Sequence, residues 1–208
     1  MKRLHIFSGS DIAIKQRSVD VAKEIFRKSI HMFSALIPLL LKVAYTPVLI
    51  LLFLALIVYC VSEWARTHGH DIPIISAVTA AAARQRDGDR FVLGPVTLVL
   101  GIILSAIIWR EDAASAGIFA LAFGDGLASL SGKLFGQIKV PLTRGKTVAG
   151  SLTCFAAIFI TSFLVSGKTW IALCLAGTGM LIELLPLKDF DNVIIPIAIG
   201  GMYTLLVP

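Results

Sequence analysis

Charge is scarce in this chain. Asp, Glu, Lys and Arg make up 15% of its 208 residues, while hydrophobic residues make up 57%. With a mean hydropathy of +0.87, that balance is too apolar for a soluble globule and indicates an integral membrane protein. Cysteine is scarcer still: Cys60, Cys154 and Cys174 each lie inside an apolar run without paired spacing, which argues against a disulfide framework or a zinc site. Residues 1–28 are polar and charged and lack the short apolar core of a cleaved signal. There is no long internal repeat and no low-complexity tail. The net charge of +6 is read as Lys and Arg held on the cytoplasmic side of a membrane rather than as a nucleic-acid surface.

What the chain has in abundance is apolar runs. They predict an all-α, polytopic bundle of about seven membrane helices, at about 29–41, 44–61, 91–109, 113–134, 147–166, 169–185 and 193–207. The first is short and contains Pro38, so it is expected to kink or insert only in part. Residues 1–28, with seven basic residues and a helix-like stretch at 19–30, form a cytoplasmic or interfacial segment ahead of a membrane-embedded catalytic domain at 29–208. Residues 62–90 form a polar joint holding Glu63, Arg66, Arg84, Arg86, Asp87, Asp89 and Arg90, within which 72–83 reads as a surface or re-entrant helix. Placing the N-terminus inside leaves only Lys42, Arg110 and Lys168 of the nineteen Lys and Arg outside. That bias sets the orientation, with the C-terminus on the opposite side.

The exception to this apolar pattern is residues 123–151, FGDGLASLSGKLFGQIKVPLTRGKTVAGS. On the helix at 113–136, Ala120, Gly124, Ala128, Gly132 and Gly136 recur every four residues. Such a stripe suits close helix packing, within the chain or in a homodimer. Asp125, Ser129 and Lys133 form a second stripe about 100° away that packing does not explain. An ionisable group within a span is a functional-site hypothesis by default, and a carboxylate in a polar cavity suits Mg²⁺. After the helix, Lys139, Arg144 and Lys146 precede a helix start at Thr147, and basic side chains beside helix N-terminal amides suit a polyphosphate. Gly145-Lys146-Thr147 is not a P-loop, since Val140 stands where the first glycine should be and no strand precedes it. Elsewhere, Glu63 and Arg66 read equally as a salt-bridged helix end or as support for the site, and His68 and His70 as an exposed loop pair.

Taken together, Asp125, Ala128, Gly132, Gly136, Lys139, Lys146, Thr147 and Gly150 give the spacing D-x2-A-x3-G-x3-G-x2-K-x6-K-T-x2-G. It resembles the CTP-binding signature of the dolichol kinase, phytol kinase and yeast-type diacylglycerol kinase family, to which phosphatidate cytidylyltransferases are related. Gly145 and Ala149 stand where dolichol kinases usually carry Lys and Glu, which argues against dolichol itself. Two outlying patches extend the resemblance. The segment from Glu24 through Arg27 and Lys28 to His31 is similar to the family's E-x2-R-K-x2-H element, and that from Glu183 through Asp189, Asp191 and Asn192 to Pro196 is similar to its E…DN-x3-P element.

The resemblance implies a membrane enzyme that moves the γ-phosphate of CTP to the hydroxyl of a lipid alcohol of the diacylglycerol, polyprenol/dolichol or phytol type, with Mg²⁺ as cofactor. It implies that Lys139, Lys146 and Thr147 contact the CTP phosphates, assisted by Arg144 and Lys133. Gly132, Gly136, Gly150, Arg27, Lys28, His31 and Asn192 complete the nucleotide site. Asp125, Asp189 and Asp191 are the candidate metal ligands; Asp125, Glu183 and Asp191 are the candidate catalytic acids. Partners are the lipid alcohol, CTP and the bilayer, with no nucleic acid. Cytidylyl transfer to phosphatidate is the nearest alternative, but the expected His-Gly-Gly run after Asp189 is absent. Transport of an anion between discontinuous helices is a further alternative.

Overall fold

The computed structural model describes residues 9–70, 72–82, 90–143 and 145–207. These form ten α-helices: α1 Gly9–Phe33, α2 Ile37–Val43, α3 Tyr45–Thr67, α4 Pro73–Ala82, α5 Gly94–Ile108, α6 Glu111–Phe119, α7 Gly126–Phe135, α8 Val148–Ser166, α9 Thr169–Leu184 and α10 Asp191–Leu206. A π-helical turn, Ala120–Asp125, joins α6 to α7 without a break. The only β pairing among the described residues is the bridge between Lys139 and Thr147. The all-α bundle expected from the apolar runs is what the chain forms. Arg84, Arg86, Asp87, Asp89 and Arg144 lie outside the described residues.

Three helices, Tyr45–Thr67, Glu111–Phe135 and Val148–Ser166, are long and apolar enough to cross a membrane. Their burial differs in a way that orders the bundle: 72% of the apolar window of Glu111–Phe135 is inside the protein, against 33% for Val148–Ser166 and 11% for Tyr45–Thr67. The α6–α7 rod is therefore the central element, and α3 presents Ile50, Leu51, Leu54, Ile57 and Val61 outward. So continuous an apolar face is suited to lipid rather than to water. Helices α5, α9 and α10 have 15, 16 and 16 residues, roughly 22–24 Å of rise against a hydrocarbon core of about 30 Å.

The expected first span is broken. Helix α1 runs through to Phe33, a 3₁₀ turn follows at Ser34–Leu36, and α2 restarts with Pro38 in its first turn. Proline has no N–H to continue the α1 ladder but fits a new helix start.

Proline also sets how α10 docks. Pro196 lies inside α10 and cannot bond the carbonyl of Asn192 four residues earlier. That carbonyl sits against Gly101 of α5, where an added Cβ would stand 2.1 Å from it. The Pro196 carbonyl in turn faces Gly117 of α6, 2.3 Å from an added Cβ. The start of α10, which carries Asp191 and Asn192, is thus held against α5 and α6 at two glycines.

Candidate active site

Helix α1 buries its charged face. Glu24, Lys28 and His31 recur at i, i+4 and i+7, one side of a helix, and are 5%, 2% and 5% exposed. Opposite them lies the polar stripe of the central rod. Lys28 pairs with Asp125, and His31 Nδ1 lies 3.4 Å from the same carboxylate oxygen. Glu24 accepts hydrogen bonds from Arg27 and Ser129 and pairs with Lys133 at 2.7 Å. The stripe Asp125–Ser129–Lys133, unexplained by apolar packing, is therefore one half of a polar helix–helix contact. The π turn ends at Asp125, and such turns concentrate at functional sites.

A second pair lies on α8 and α9. Lys146, just before α8, donates to Glu183 Oε1 at 2.7 Å, and the Ser151 hydroxyl is 3.4 Å from Glu183 Oε2. Burial pushes the Lys146 ammonium down, but Glu183, with Asp125 and Asp191 beyond it, outweighs this and holds it above the ordinary lysine value. One lysine thus lies in the field of three acids contributed by three different helices.

The small-residue stripe packs inside the chain, against α8. An added Cβ on Gly124 would meet Ile158 at 2.7 Å, and one on Gly136 would meet Thr147 at 2.6 Å. Added Cβ atoms on Gly132 and Gly150 would likewise meet the Thr147 hydroxyl, at 2.9 and 3.2 Å. Thr147 is the N-cap of α8, its hydroxyl accepting from Gly150 N at 3.2 Å. The Val148 amide donates to the Ile138 carbonyl. Two of the helix-start amides expected to receive phosphate are therefore already bonded. Lys139 is exposed and pairs with Thr147 across the bridge.

Between these clusters is a cleft that Arg27, Lys28 and His31 line from α1, Asp125 from the central rod, and Asp189, Asp191 and Asn192 from the start of α10. Residues from three separated stretches of sequence meet here. The cavity is narrow, ≈ 40 Å³, enough for a few waters. Asn192 lines the cleft, but its side-chain amide donates to Gly94 O at 3.3 Å and Thr97 Oγ1 at 2.9 Å, tying α10 to α5. Lys133 faces Glu24 rather than the cleft. Among the described residues no group of three or more His, Cys, Asp or Glu side chains is gathered tightly enough to hold a metal unaided. Mg²⁺ needs only one or two carboxylates beside substrate phosphates, and Asp125, Asp189 and Asp191 on one cleft fit that requirement.

Two acids absent from the expected site support it. Glu24 orients Arg27. Glu63, 1% exposed, accepts from Arg66 at 2.9 and 2.8 Å and from the Val92 amide at 2.8 Å, fixing a residue that lines the cleft. The Glu63–Arg66 spacing is visible in sequence, whereas the Val92 amide, 29 residues away, is not.

Glu24 also makes stability depend on pH. Burial raises its carboxyl pKa, but Arg27, Lys133, Ser129 and Lys28 overcome this and hold it at about 2, against an ordinary 4.5. A lowered folded-state pKa contributes stability that is complete above the unfolded value and is lost as pH falls through the folded one. Unfolding free energy should therefore drop between about pH 4.5 and pH 2. Glu24→Gln should flatten that part of a denaturant–pH series, and an unchanged slope would remove Glu24 as its source.

No protein-family model matches the chain, and no solved structure matches it. Curated relatives do. A probable chloroplastic phytol kinase 1 of Glycine max is 39% identical over 83 residues, 37% of this chain and 27% of the relative. A probable chloroplastic phytol kinase 1 of Oryza sativa subsp. japonica is 25% identical over 152 residues, 64% of this chain and 48% of the relative. A chloroplastic farnesol kinase of Arabidopsis thaliana is 40% identical over 81 residues, 37% of this chain and 26% of the relative. In these matches the chain spans between a quarter and a half of the relative's length. Over these stretches the chain is similar in sequence to plant proteins named as phytol and farnesol kinases.

Proposed function

We propose that the protein is a CTP-dependent kinase that transfers the γ-phosphate of CTP to the hydroxyl of a membrane lipid alcohol. The observation that carries this reading is the meeting of Lys28 and His31, Asp125, and Asp189 and Asp191 on one cleft, with Lys146 and Glu183 alongside. Phosphoryl transfer asks a protein mainly for positioning and charge neutralisation, and the cleft gathers cations and carboxylates beside an apolar wall of Ile30, Val92, Pro95 and Leu98. Named kinases of phytol and farnesol among the relatives support the alcohol class.

In the structure the two acids are neutralised by the protein's own lysines, Asp125 by Lys28 and Glu183 by Lys146. An arriving polyphosphate competes for those ammonium groups. Lys28 and Lys146 swing to phosphate oxygens, joined by Arg27 and Lys139, and the cleft opens as the Lys28–Asp125 pair parts. Asp125, Asp189 and Asp191 would hold Mg²⁺, which neutralises phosphate charge when bound. The freed Asp125 or Glu183 accepts the alcohol proton as the alcohol oxygen bonds to the γ-phosphorus. The bond from that phosphorus to the β–γ bridging oxygen breaks, and CDP leaves. The site lies on the Lys- and Arg-rich side, which is the cytoplasmic side, with the C-terminus opposite.

Purified protein in detergent, given CTP labelled at either the α- or the γ-phosphate together with phytol, farnesol or diacylglycerol, tests this. Label from the γ position should enter lipid. Label from the α position entering lipid would mean cytidylyl transfer and overturn the proposal, as would γ-label entering from ATP but not from CTP.

A further inference from the structure

A second cavity, of ≈ 420 Å³, lies away from the candidate active site, bordered by Pro38 and Leu41 of α2, Ala106 of α5, and Ala114 and Ile118 of α6. The two spaces share the same three walls. The run from α1 to α2 contributes His31 to the first and Pro38 to the second. Helix α5 contributes Leu98 and then Ala106, and the central rod Asp125 and then Ile118. On every wall the offset is seven or eight residues, roughly 12 Å along α5, the one wall that is unbroken α-helix between the two spaces. That agreement places the two cavities along the same three walls, one at Asp125 and one further along the central rod. Midway between them are buried side chains, Ser34 at 7%, Ile102 at 2% and Ala122 at 0% exposure. Ile102 is the bulky one, and it lies on the Leu98–Ala106 stripe of α5 at i+4 from each neighbour.

We infer that the second cavity is the tail subsite for the lipid alcohol, with Ile102 as the constriction the chain must pass. This rests on the kinase reading for the position of the hydroxyl at Asp125. Beyond His31 and Asp125 at the active-site end, the wall residues named above carry no charge. The one ion pair, Lys42 with Glu111 at 3.0 Å, is neutral as a pair and sits at the exposed far rim. A charged ligand has no counter-ion within, whereas a saturated or isoprenoid chain has apolar contact along its length. From Asp125 to Glu111 the rod rises fourteen residues, on the order of 20 Å. That depth suits a chain of phytol or farnesol size and stops a polyprenol at the Lys42–Glu111 pair. Tail length, rather than the hydroxyl end, then selects the substrate.

The test uses the full chain in phosphatidylcholine nanodiscs, a farnesol analogue carrying a diazirine at the far end of its chain, and no nucleotide. Irradiation should label the peptides bearing Pro38–Leu41 or Ala114–Ile118, and excess phytol should suppress labelling more than excess geraniol, whose chain is too short to reach. Ser115→Leu, which adds bulk to the cavity wall, should cut labelling about tenfold. Ile107→Trp does the same from a position 54% exposed, where the larger side chain is no threat to folding. Labelling confined to the outward face of α3, or suppressed equally by geraniol, would overturn the inference, as would a cavity held by bilayer phospholipid and unresponsive to phytol. Because labelling needs no CTP, absent phosphate transfer would sink the kinase reading alone.

Discussion

Asp125→Asn is expected to lose at least about 100-fold in phosphate transfer, the scale of removing a positioned proton acceptor, and also to unfold more easily. The second effect follows from Lys28, which is 2% exposed and has Asp125 as its ion-pair partner. Removing one member of a buried pair leaves the other charge uncompensated, at a cost of about 3–5 kcal/mol. Lys28→Met should destabilise for the mirror reason, by leaving the Asp125 carboxylate buried. The double variant Asp125→Asn with Lys28→Met removes both charges and should return to within about 1 kcal/mol of the parent, since replacing a buried pair by uncharged groups is often neutral or favourable. Activity should not return with it. Thermal unfolding in detergent beside γ-phosphate incorporation separates the two effects. Full turnover in Asp125→Asn would take Asp125 out of the reaction, and equal stability of all four proteins would show that the pair is not buried in solution.

Gly101→Ala is the second large effect. The added methyl would stand 2.1 Å from the Asn192 carbonyl oxygen and 3.1 Å from Val193 Cα, so backbone rather than a flexible side chain must move. Overpacking of this kind costs about 1–3 kcal/mol. The displaced segment is the start of α10, which carries Asp191 into the cleft, so turnover should fall together with stability. Gly177→Ala in α9 is the control. An added Cβ there meets nothing within 4 Å, and exchanging a mid-helix glycine for alanine should stabilise by about 0.5–1 kcal/mol. If both substitutions moved the melting temperature alike, the close approach of α10 to α5 would not be the cause.

The last patch shows where reading the sequence stops. Asp191, Asn192 and Pro196 resemble one functional element, yet the three residues do different work. Asp191 lines the cleft, Asn192 bonds Gly94 and Thr97, and Pro196 leaves a carbonyl free to sit against Gly101. A motif fixes residue types at a spacing, but the partners that decide the roles are distant in sequence, as Thr97 and Gly94 are from Asn192, 95 and 98 residues away. The same holds for the glycines around Thr147. Their four-residue recurrence announces close packing, while the surface they pack on, the start of α8, becomes visible only in three dimensions.

What the sequence by itself determined is what composition and period control: an all-α chain built of apolar helices, a small-residue stripe, and a polar stripe headed by Asp125. These are local properties, set by hydrophobicity and by 3.6 residues per turn. Only the tertiary structure decided that the charged face of α1 turns inward to meet that stripe, leaving Glu24, Lys28 and Asp125 5%, 2% and 4% exposed. The physical reason is that a charge in an apolar interior is stable only beside its partner. For Lys28 that partner is 97 residues further along the chain.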